Sequence, residues 1–218
     1  MMKAWLGWGV AVILALGMGA GGFLGVRALV PGRVTEAQPP PVSAEEIIRV
    51  RAEEARKPPF RGAINGITFK EQTGPADLGV PGCRLVDATP QEIAASPLNF
   101  TATYLPQGWS LDGESGASCQ GRLVSFARSY HGSTGGVNIA RWTMRAVTSH
   151  ASIDRIQARE VAGKPALVIG PVPGEAAALG LDPGAGGWTL ILVEEWGMTG
   201  IQGGPRLDEL IKIAEGVR

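Results

Sequence analysis

The sequence predicts an α+β protein with an N-terminal transmembrane helix, followed by an antiparallel β-sheet domain with a C-terminal amphipathic helix packed on one face. Residues Ala4–Val26 contain no charged side chain. The middle of the chain holds short runs of β-branched and aromatic residues between glycines and prolines, of which the chain has 32 and 16. From Pro205 to Arg218, apolar residues recur at helical spacing. Together these three patterns indicate an anchor, a sheet and a final helix.

The N-terminal apolar segment has the length of a membrane span. A helix needs about 20 residues to cross the hydrocarbon core, and residues 4–30 supply them. Trp5 and Trp8 lie at one end, where aromatic rings favour the headgroup layer. A cleaved signal peptide is the alternative, but its apolar core is typically about 7–15 residues. Because the apolar run continues through Phe23, we predict an uncleaved anchor in contact with the lipid bilayer.

Glycines within this segment allow two further interpretations. Gly17, Gly21 and Gly25 form a G-x-x-x-G ladder, which lets two helices approach closely and predicts weak self-association. Residues 17–22 also spell G-x-G-x-x-G. A dinucleotide site needs that motif between a strand and a helix, so we predict no cofactor.

The anchor is followed by a spacer and then by the folded part, so the predicted parts are 1–30 (anchor), 31–59 (Pro-rich spacer and short charged helix) and 60–218 (extracytoplasmic α+β domain). The spacer contains Pro39–Pro41. Ser43 and Glu46 form a capping box that opens a helix to about Arg56. Because this helix carries charges on its faces, we expect a solvated stalk.

The β-rich region and its flanking helices are read from periodicity and turn residues. The predicted strands are Ala63–Lys70, Asn99–Leu105, Gly121–Tyr130, Gly136–Arg145, Arg159–Gly163, Pro165–Ile169, Trp188–Trp196 and Met198–Gln202. A short helix is expected from Thr89 to just before Pro97. The final helix starts near Pro205, and its apolar stripe is Leu207, Leu210, Ile211, Ala214 and Val217.

The two cysteines, Cys83 and Cys119, both follow the predicted anchor. Each lies among small, polar or turn-forming residues, which is typical of loops. They either form a disulfide, which requires an oxidising compartment, or are two unrelated small residues. Their spacing is not that of a metal knuckle or a redox pair.

Four segments occur in an order that is familiar from one bacterial family: Tyr104–Trp109, Val161–Lys164, Trp188–Glu195 and Leu207–Glu215. Together they resemble the bacterial extracytoplasmic domain of unknown function 4367 over about residues 100–218. The resemblance implies a domain held outside the membrane behind a single span, in some relatives as part of anti-sigma-factor-like or sporulation-linked proteins. Those anti-sigma relatives carry a zinc module of clustered His and Cys, which this chain lacks. The family supplies no catalytic residues.

The residues that could carry chemistry are few. The two histidines, His131 and His150, have no Cys, Asp or Glu at ligand spacing, so no metal site is predicted. No serine lies in a G-x-S-x-G elbow, and no catalytic residue is predicted. With 20 basic and 20 acidic residues, the chain lacks the excess of basic charge typical of a nucleic-acid-binding protein.

Aromatic side chains offer the remaining site. The candidates for a ligand or partner surface are Tyr104, Trp109, Trp142 and Trp196. Their alternative is the core, because aromatic rings bury a large area.

These observations predict a single-pass protein of the cell membrane whose C-terminal domain lies outside the cytoplasm and binds or senses an unknown protein or ligand without catalysis. An envelope hydrolase with an unrecognised site and a passive structural membrane protein are the alternatives.

Overall fold

The computed structural model describes residues 44–71, 83–133, 135–178 and 186–218. The predicted span at residues 4–30, its glycine ladder and the proline run of the spacer lie outside these ranges. Within the ranges, no helix combines the length and the apolarity that a membrane crossing requires.

The described part of the chain forms four α-helices and eleven β-strands. The helices are α1 (Ala44–Ala55), α2 (Pro90–Ala94), α3 (Glu175–Ala178) and α4 (Leu207–Glu215). The strands are β1 (Gly62–Ile64), β2 (Ile67–Lys70), β3 (Val86–Asp87), β4 (Ser110–Cys119), β5 (Arg122–Gly132), β6 (Gly135–Trp142), β7 (Ala146–Thr148), β8 (Ile156–Val161), β9 (Lys164–Ile169), β10 (Trp188–Glu194) and β11 (Gly197–Gly203).

The main sheet has eight antiparallel strands in the order β3-β4-β5-β6-β11-β10-β9-β8. Two meanders build it, β3 to β6 and β8 to β11, and they join in the centre where β6 pairs with β11 from Trp142–Met198 to Val137–Gly203. A smaller sheet has the order β1-β2-β7, with β2 and β7 parallel.

Both faces of the main sheet are covered. On the first face, α4 packs Leu210 and Ile213 onto a core that includes Phe126. On the second face, Ile67 and Phe69 of the small sheet cover a core that includes Leu167, Ile191 and Met198. Burial on both sides explains why the sequence of β10 is apolar along its length instead of alternating.

The structure therefore confirms a mainly antiparallel sheet with few helices, and it confirms several predicted elements. The predicted short helix is α2, which starts with a capping box in which the Thr89 side chain accepts a hydrogen bond from the Glu92 backbone and the Glu92 carboxylate accepts one in return. The predicted strands Gly121–Tyr130 and Gly136–Arg145 correspond to β5 and β6, which pair as a hairpin. The final helix begins at Leu207, two residues after Pro205, with Arg206 as its N-cap.

Two strand predictions were wrong, and one long strand was missed. The predicted strand Ala63–Lys70 is two strands, because Asn65 and Gly66 adopt positive φ and turn the chain into a hairpin. Asn99–Leu105 forms no strand, and only Ala102 makes a bridge, to Val217. The strand β4 was not predicted, because its polar, glycine-containing sequence lacks a clear alternation.

The helix α1 is docked on the domain, in contrast to the solvated stalk expected from its charges. Its Glu54 is buried, and the carboxylate accepts a hydrogen bond from the Ser152 hydroxyl at 2.7 Å and pairs with Arg155 at 3.2 Å. One turn earlier, Arg51 pairs with Glu175 of α3 at 2.6 Å. Because these partners are distant in sequence, the charge pattern of the helix alone gave no sign of the docking.

Cys83 and Cys119 form a disulfide with Cα atoms 5.9 Å apart. Cys119 is the last residue of β4 and is buried, which differs from the loop position expected for it. The bond lies beside the pairing of β3 with β4, where Val86 is opposite Ser118.

Candidate functional site

The four aromatic residues predicted as a binding surface do not form one surface. Tyr104 is 38% exposed and Trp109 is half-buried. Trp142 is only 5% exposed, in the core of the second face, so its assignment to a binding surface was wrong. Its indole lies over Gly200 of β11, where a Cβ atom would approach the ring to 2.6 Å. Because Gly200 has no side chain, the Trp142 ring fits against β11 and is buried in the core.

Trp196 lies at the β10–β11 turn and covers a buried cation. The Arg141 guanidinium lies 5.2 Å from the centroid of the Trp196 ring and 5.2 Å from that of Phe100. It also donates hydrogen bonds to the carbonyl oxygens of Asn99 at 3.0 Å and Pro97 at 3.3 Å. Burial lowers the pKa of Arg141, and the Glu194 carboxylate opposes that effect. These contacts give Trp196 and Arg141 a structural role, in fastening the segment after α2 to the sheet.

A second polar cluster lies on the same face. The Glu194 carboxylate pairs with Lys164 at 2.8 Å and accepts a hydrogen bond from the Thr199 hydroxyl at 3.3 Å. Since both carboxylate oxygens are engaged by neighbouring strands, this cluster is best explained as a cross-strand ion pair.

One of the four aromatic candidates, Trp109, lines a surface groove. It has a volume of about 300 Å³ and is formed where the turn before β4 meets the start of α4. Its apolar part comes from Pro106, Trp109 and Pro205, and its polar part from Arg206, Asp208 and Glu209. Ligand pockets in proteins have volumes of about 300–1,000 Å³, so this groove can hold a small group.

The local backbone fixes the position of Trp109. Its backbone N–H donates to the Pro106 carbonyl at 3.1 Å, which closes the turn, and Gly108 supplies the positive φ that the turn requires. The indole lies against the β5–β6 hairpin, where a Cβ atom on Gly132 would come within 2.3 Å of its Cδ1 atom. The ring is thus held by contact with a glycine backbone, and it stays beside the groove.

Hydrogen bonds organise the polar side of the groove. The Tyr104 hydroxyl donates to the Glu209 carboxylate, and this bond is the main reason why the pKa of Tyr104 is raised. Lys212 pairs with the same carboxylate at 3.2 Å. At the outer rim, Arg206 and Asp208 are 3.7 Å apart and both are largely exposed. Both carboxylates of the rim therefore have partners within the protein: Asp208 has Arg206, and Glu209 has Tyr104 and Lys212.

Sequence reasoning identified Tyr104 and Trp109 but missed the polar half of the groove. Asp208 and Glu209 fall in the first turn of the final helix, where acidic residues are common for helix stability alone, and Arg206 precedes that turn. The available signal was the position of these polar residues directly after a proline at the start of an amphipathic helix, but the sequence does not show that this helix start lies next to Trp109.

The histidines lie away from the groove. His131 and His150 are both exposed, and neither is among its lining residues. Within the part of the chain that the structure describes, no group of three or more His, Cys, Asp or Glu side chains is arranged to hold a metal ion.

The chain was compared with protein-family models, with curated proteins and with solved structures, and nothing in the three collections matches it.

Proposed function

We propose that this protein is a single-pass, membrane-anchored domain of the cell envelope that faces the outside of the cytoplasm and binds a ligand or partner without catalysis. The disulfide between Cys83 and Cys119 carries this proposal. Disulfides persist in oxidising compartments and are rare in the cytosol. The charge-free stretch Ala4–Val26 supplies the anchor, and the resemblance to the extracytoplasmic domain of unknown function 4367 supports the same location.

The groove beside Trp109 supports the binding role. It combines an apolar wall with a few polar groups, which is the usual composition of a ligand site. The aromatic side chains and the carboxylates are held in place by turn and helix contacts made within the protein, so a ligand meets a preorganised surface.

A topology experiment on the full chain tests the location. Right-side-out and inside-out membrane vesicles are treated with a membrane-impermeant amine reagent, which modifies exposed lysines such as Lys70. We expect the full-length chain to stay in the membrane fraction after carbonate extraction, and Lys70 to be labelled in the right-side-out vesicles only, whereas Lys3, on the other side of the anchor, is labelled in the inside-out vesicles only; peptide mass spectrometry distinguishes the two sites. Extraction of the uncleaved chain into the soluble fraction, or labelling of Lys70 in inside-out vesicles only, would refute the proposal.

A further inference from the structure

We infer that the helix α1 is a releasable latch: ion pairs hold it on the domain, and a rise in ionic strength frees it while both faces of the main sheet stay packed. In the sequence, α1 lies between the predicted anchor and the sheet. Its release therefore lengthens the link between the bilayer and the domain, and this consequence, unlike the release itself, rests on the proposed function.

The apolar contacts of α1 with the domain are few. The domain has two hydrophobic cores, and within the described residues neither of them includes a residue of Ala44–Ala55. Val50 is the one buried apolar side chain of this helix, and it faces Gly174, where an added Cβ atom would lie 3.6 Å from it. Ile48 is 66% exposed. Since packing of an apolar face supplies most of the stability of a docked helix, α1 depends mainly on its polar contacts.

Ion pairs supply these polar contacts. Three of them connect α1 and the residue two positions after it to other parts of the domain: Glu54–Arg155 at 3.2 Å, Arg51–Glu175 at 2.6 Å and Lys57–Asp154 at 2.8 Å. The Arg51, Lys57 and Asp154 side chains are 41%, 41% and 56% exposed. Salt screens exposed pairs, because the Debye length falls from about 10 Å at 0.1 M to about 3 Å at 1 M. Salt therefore weakens two of the three pairs that hold the helix.

The chain is firmly attached to the domain from Phe60 onward. The backbone N–H of Phe60 donates to the Ala151 carbonyl at 2.9 Å, and its ring packs edge-on against Phe69, with the ring centroids 5.1 Å apart. Phe69 belongs to the core of the second face. Between α1 and this attachment lie Pro58 and Pro59, which cannot continue the helix. The segment before Phe60 can therefore leave the domain without disturbing the core.

Release changes both the reach and the structure of α1. The helix has 12 residues, which gives it a length of about 18 Å. A helix this short is marginal in water without tertiary contacts, so we expect it to unfold when it leaves the domain. The same number of residues in an extended chain spans up to about 40 Å. Release therefore allows the domain to move farther from its anchor, and it exposes the amides of α1 to exchange with solvent.

Hydrogen–deuterium exchange with peptide mass spectrometry measures this release in the full chain, kept in micelles of a neutral detergent. Exchange is compared at about 0.1 M and about 1 M NaCl. We expect peptides from α1 to exchange about fivefold faster at the higher salt concentration, as the loss of two exposed ion pairs predicts. Peptides from β10 and β11, which lie in the centre of the main sheet, should exchange at the same rate in both.

Two matched variants test the buried pair. Glu54→Gln keeps the shape of the side chain but removes the charge that faces Arg155, and we expect exchange in α1 to become at least about tenfold faster at low salt. Glu53→Gln removes an exposed charge that pairs with Arg49 inside the helix, and should change exchange by no more than about twofold. Exchange in β10 and β11 reports whether each variant is folded.

Faster exchange that is confined to α1, both in high salt and in Glu54→Gln, supports the latch. An equal rise in α1 and β10 overturns it, because α1 then opens only when the whole domain unfolds. Exchange in α1 that responds neither to salt nor to Glu54→Gln also overturns it. The vesicle experiment tests the anchor separately: a chain that is extracted by carbonate but has a salt-sensitive α1 refutes the proposed location and leaves the latch standing.

Discussion

Arg141 shows how much a single residue contributes to holding this fold together. Its guanidinium is only 7% exposed, lies between the rings of Phe100 and Trp196, and its Nε atom has no hydrogen-bond partner among the described residues. The cation is retained in the core because its other contacts, to two aromatic faces and two backbone carbonyls, replace part of its hydration.

Replacing Arg141 therefore tests whether this buried cation stabilises the domain. We expect Arg141→Ala to lower the free energy of unfolding by about 2–4 kcal/mol, because it opens a cavity and leaves the carbonyls of Pro97 and Asn99 without their donor. The control is Arg159→Ala, which changes an exposed arginine of β8 and is expected to shift stability by less than about 0.5 kcal/mol. Urea unfolding of the full chain in micelles measures both. Equal effects of the two substitutions would show that Arg141 has no special role.

Protonation of Asp154 is expected to lower the stability of the domain at acidic pH. The hydrogen bond from Lys57 is the main reason why the pKa of Asp154 is lowered to about 2, below the value of about 3.9 in an unfolded chain. A depressed pKa means that the stabilisation is complete above the unfolded value and is lost as the pH falls from about 4 to about 2. Glu54 acts in the same direction: burial raises its pKa, but hydrogen bonds from Ser152 and two cations outweigh burial and lower it.

We therefore expect the urea midpoint of the wild type to fall between pH 5 and pH 2.5, and to fall less for Asp154→Asn. Added salt should reduce the difference, because Lys57 and Asp154 are exposed enough to be screened. If the two proteins have the same pH dependence, the contact between Lys57 and Asp154 does not contribute to stability in solution.

At the scale of elements, the sheet depends on close approach at Gly200. The Trp142 ring occupies the space that a side chain at this position of β11 would take. We expect Gly200→Ala to destabilise the domain by about 1–3 kcal/mol, the usual cost of overpacking. Gly113→Ala is the matched control, since a Cβ on this glycine of β4 meets no atom within 4 Å. Thermal unfolding followed by circular dichroism measures both variants, and a loss at Gly113 as large as that at Gly200 would contradict the packing argument.

Docking of α1 depends on one of two adjacent glutamates. Glu54 is buried against Ser152, whereas Glu53 is exposed and pairs only within its helix, with Arg49. We expect Glu54→Ala to cost about 1–3 kcal/mol, because it leaves buried partners without their acceptor. The same substitution should make trypsin cut faster after Arg56. Glu53→Ala should leave both the stability and the cleavage rate almost unchanged. Equal cleavage rates in the two variants would mean that Glu54 does not hold α1 in place.

The sequence was sufficient to predict those elements whose structure is determined by residues close to one another in the chain. The helix α2 that opens at Thr89 and the strands β5 and β6 depend on contacts between residues that are close in the chain, and these elements were predicted. The turn at Asn65 and Gly66 also had a local signal, since Asn-Gly is typical of two-residue hairpins, but the apolar residues around it were read as one continuous strand. The sequence therefore contained the signal for a hairpin, and the prediction of one strand overlooked it.

Other features depend on contacts between distant segments. The strand β4 has a polar sequence and owes its extended form to pairing with β5 along nearly its whole length. Trp142 and Trp109 were both candidates for a binding surface, yet Trp142 lies in the core and Trp109 lines the groove. The polar half of the candidate site joins Trp109 only because α4 packs across the sheet. Which distant segments come into contact depends on the fold, and a single sequence does not show it.

At the scale of the whole molecule, both faces of the sheet are covered, and part of that cover comes from the segment before β4. The stability of the domain therefore depends on how firmly this segment is held. The segment before β4 contributes α2, the carbonyls that bind Arg141 and the turn that carries Trp109. Of these, only α2 has regular secondary structure, so the segment relies on side-chain contacts and on its covalent links. The disulfide from Cys83 to Cys119 encloses all three features, because its sequence separation is 36 residues.

Loss of that bond should therefore affect both stability and the groove. In the chain-entropy account, a loop of this length stabilises the fold by about 3–4 kcal/mol. We expect Cys83→Ala/Cys119→Ala to lower the free energy of unfolding by up to this amount, and reduction of the wild type to have a similar effect. Reductant should not affect the double variant, which controls for other actions of the reagent. Since the enclosed loop includes the turn at Trp109, the groove beside Trp109 should also lose order when the bond is absent. If the double variant unfolds at the same urea concentration as the oxidised wild type, the bond does not constrain this segment.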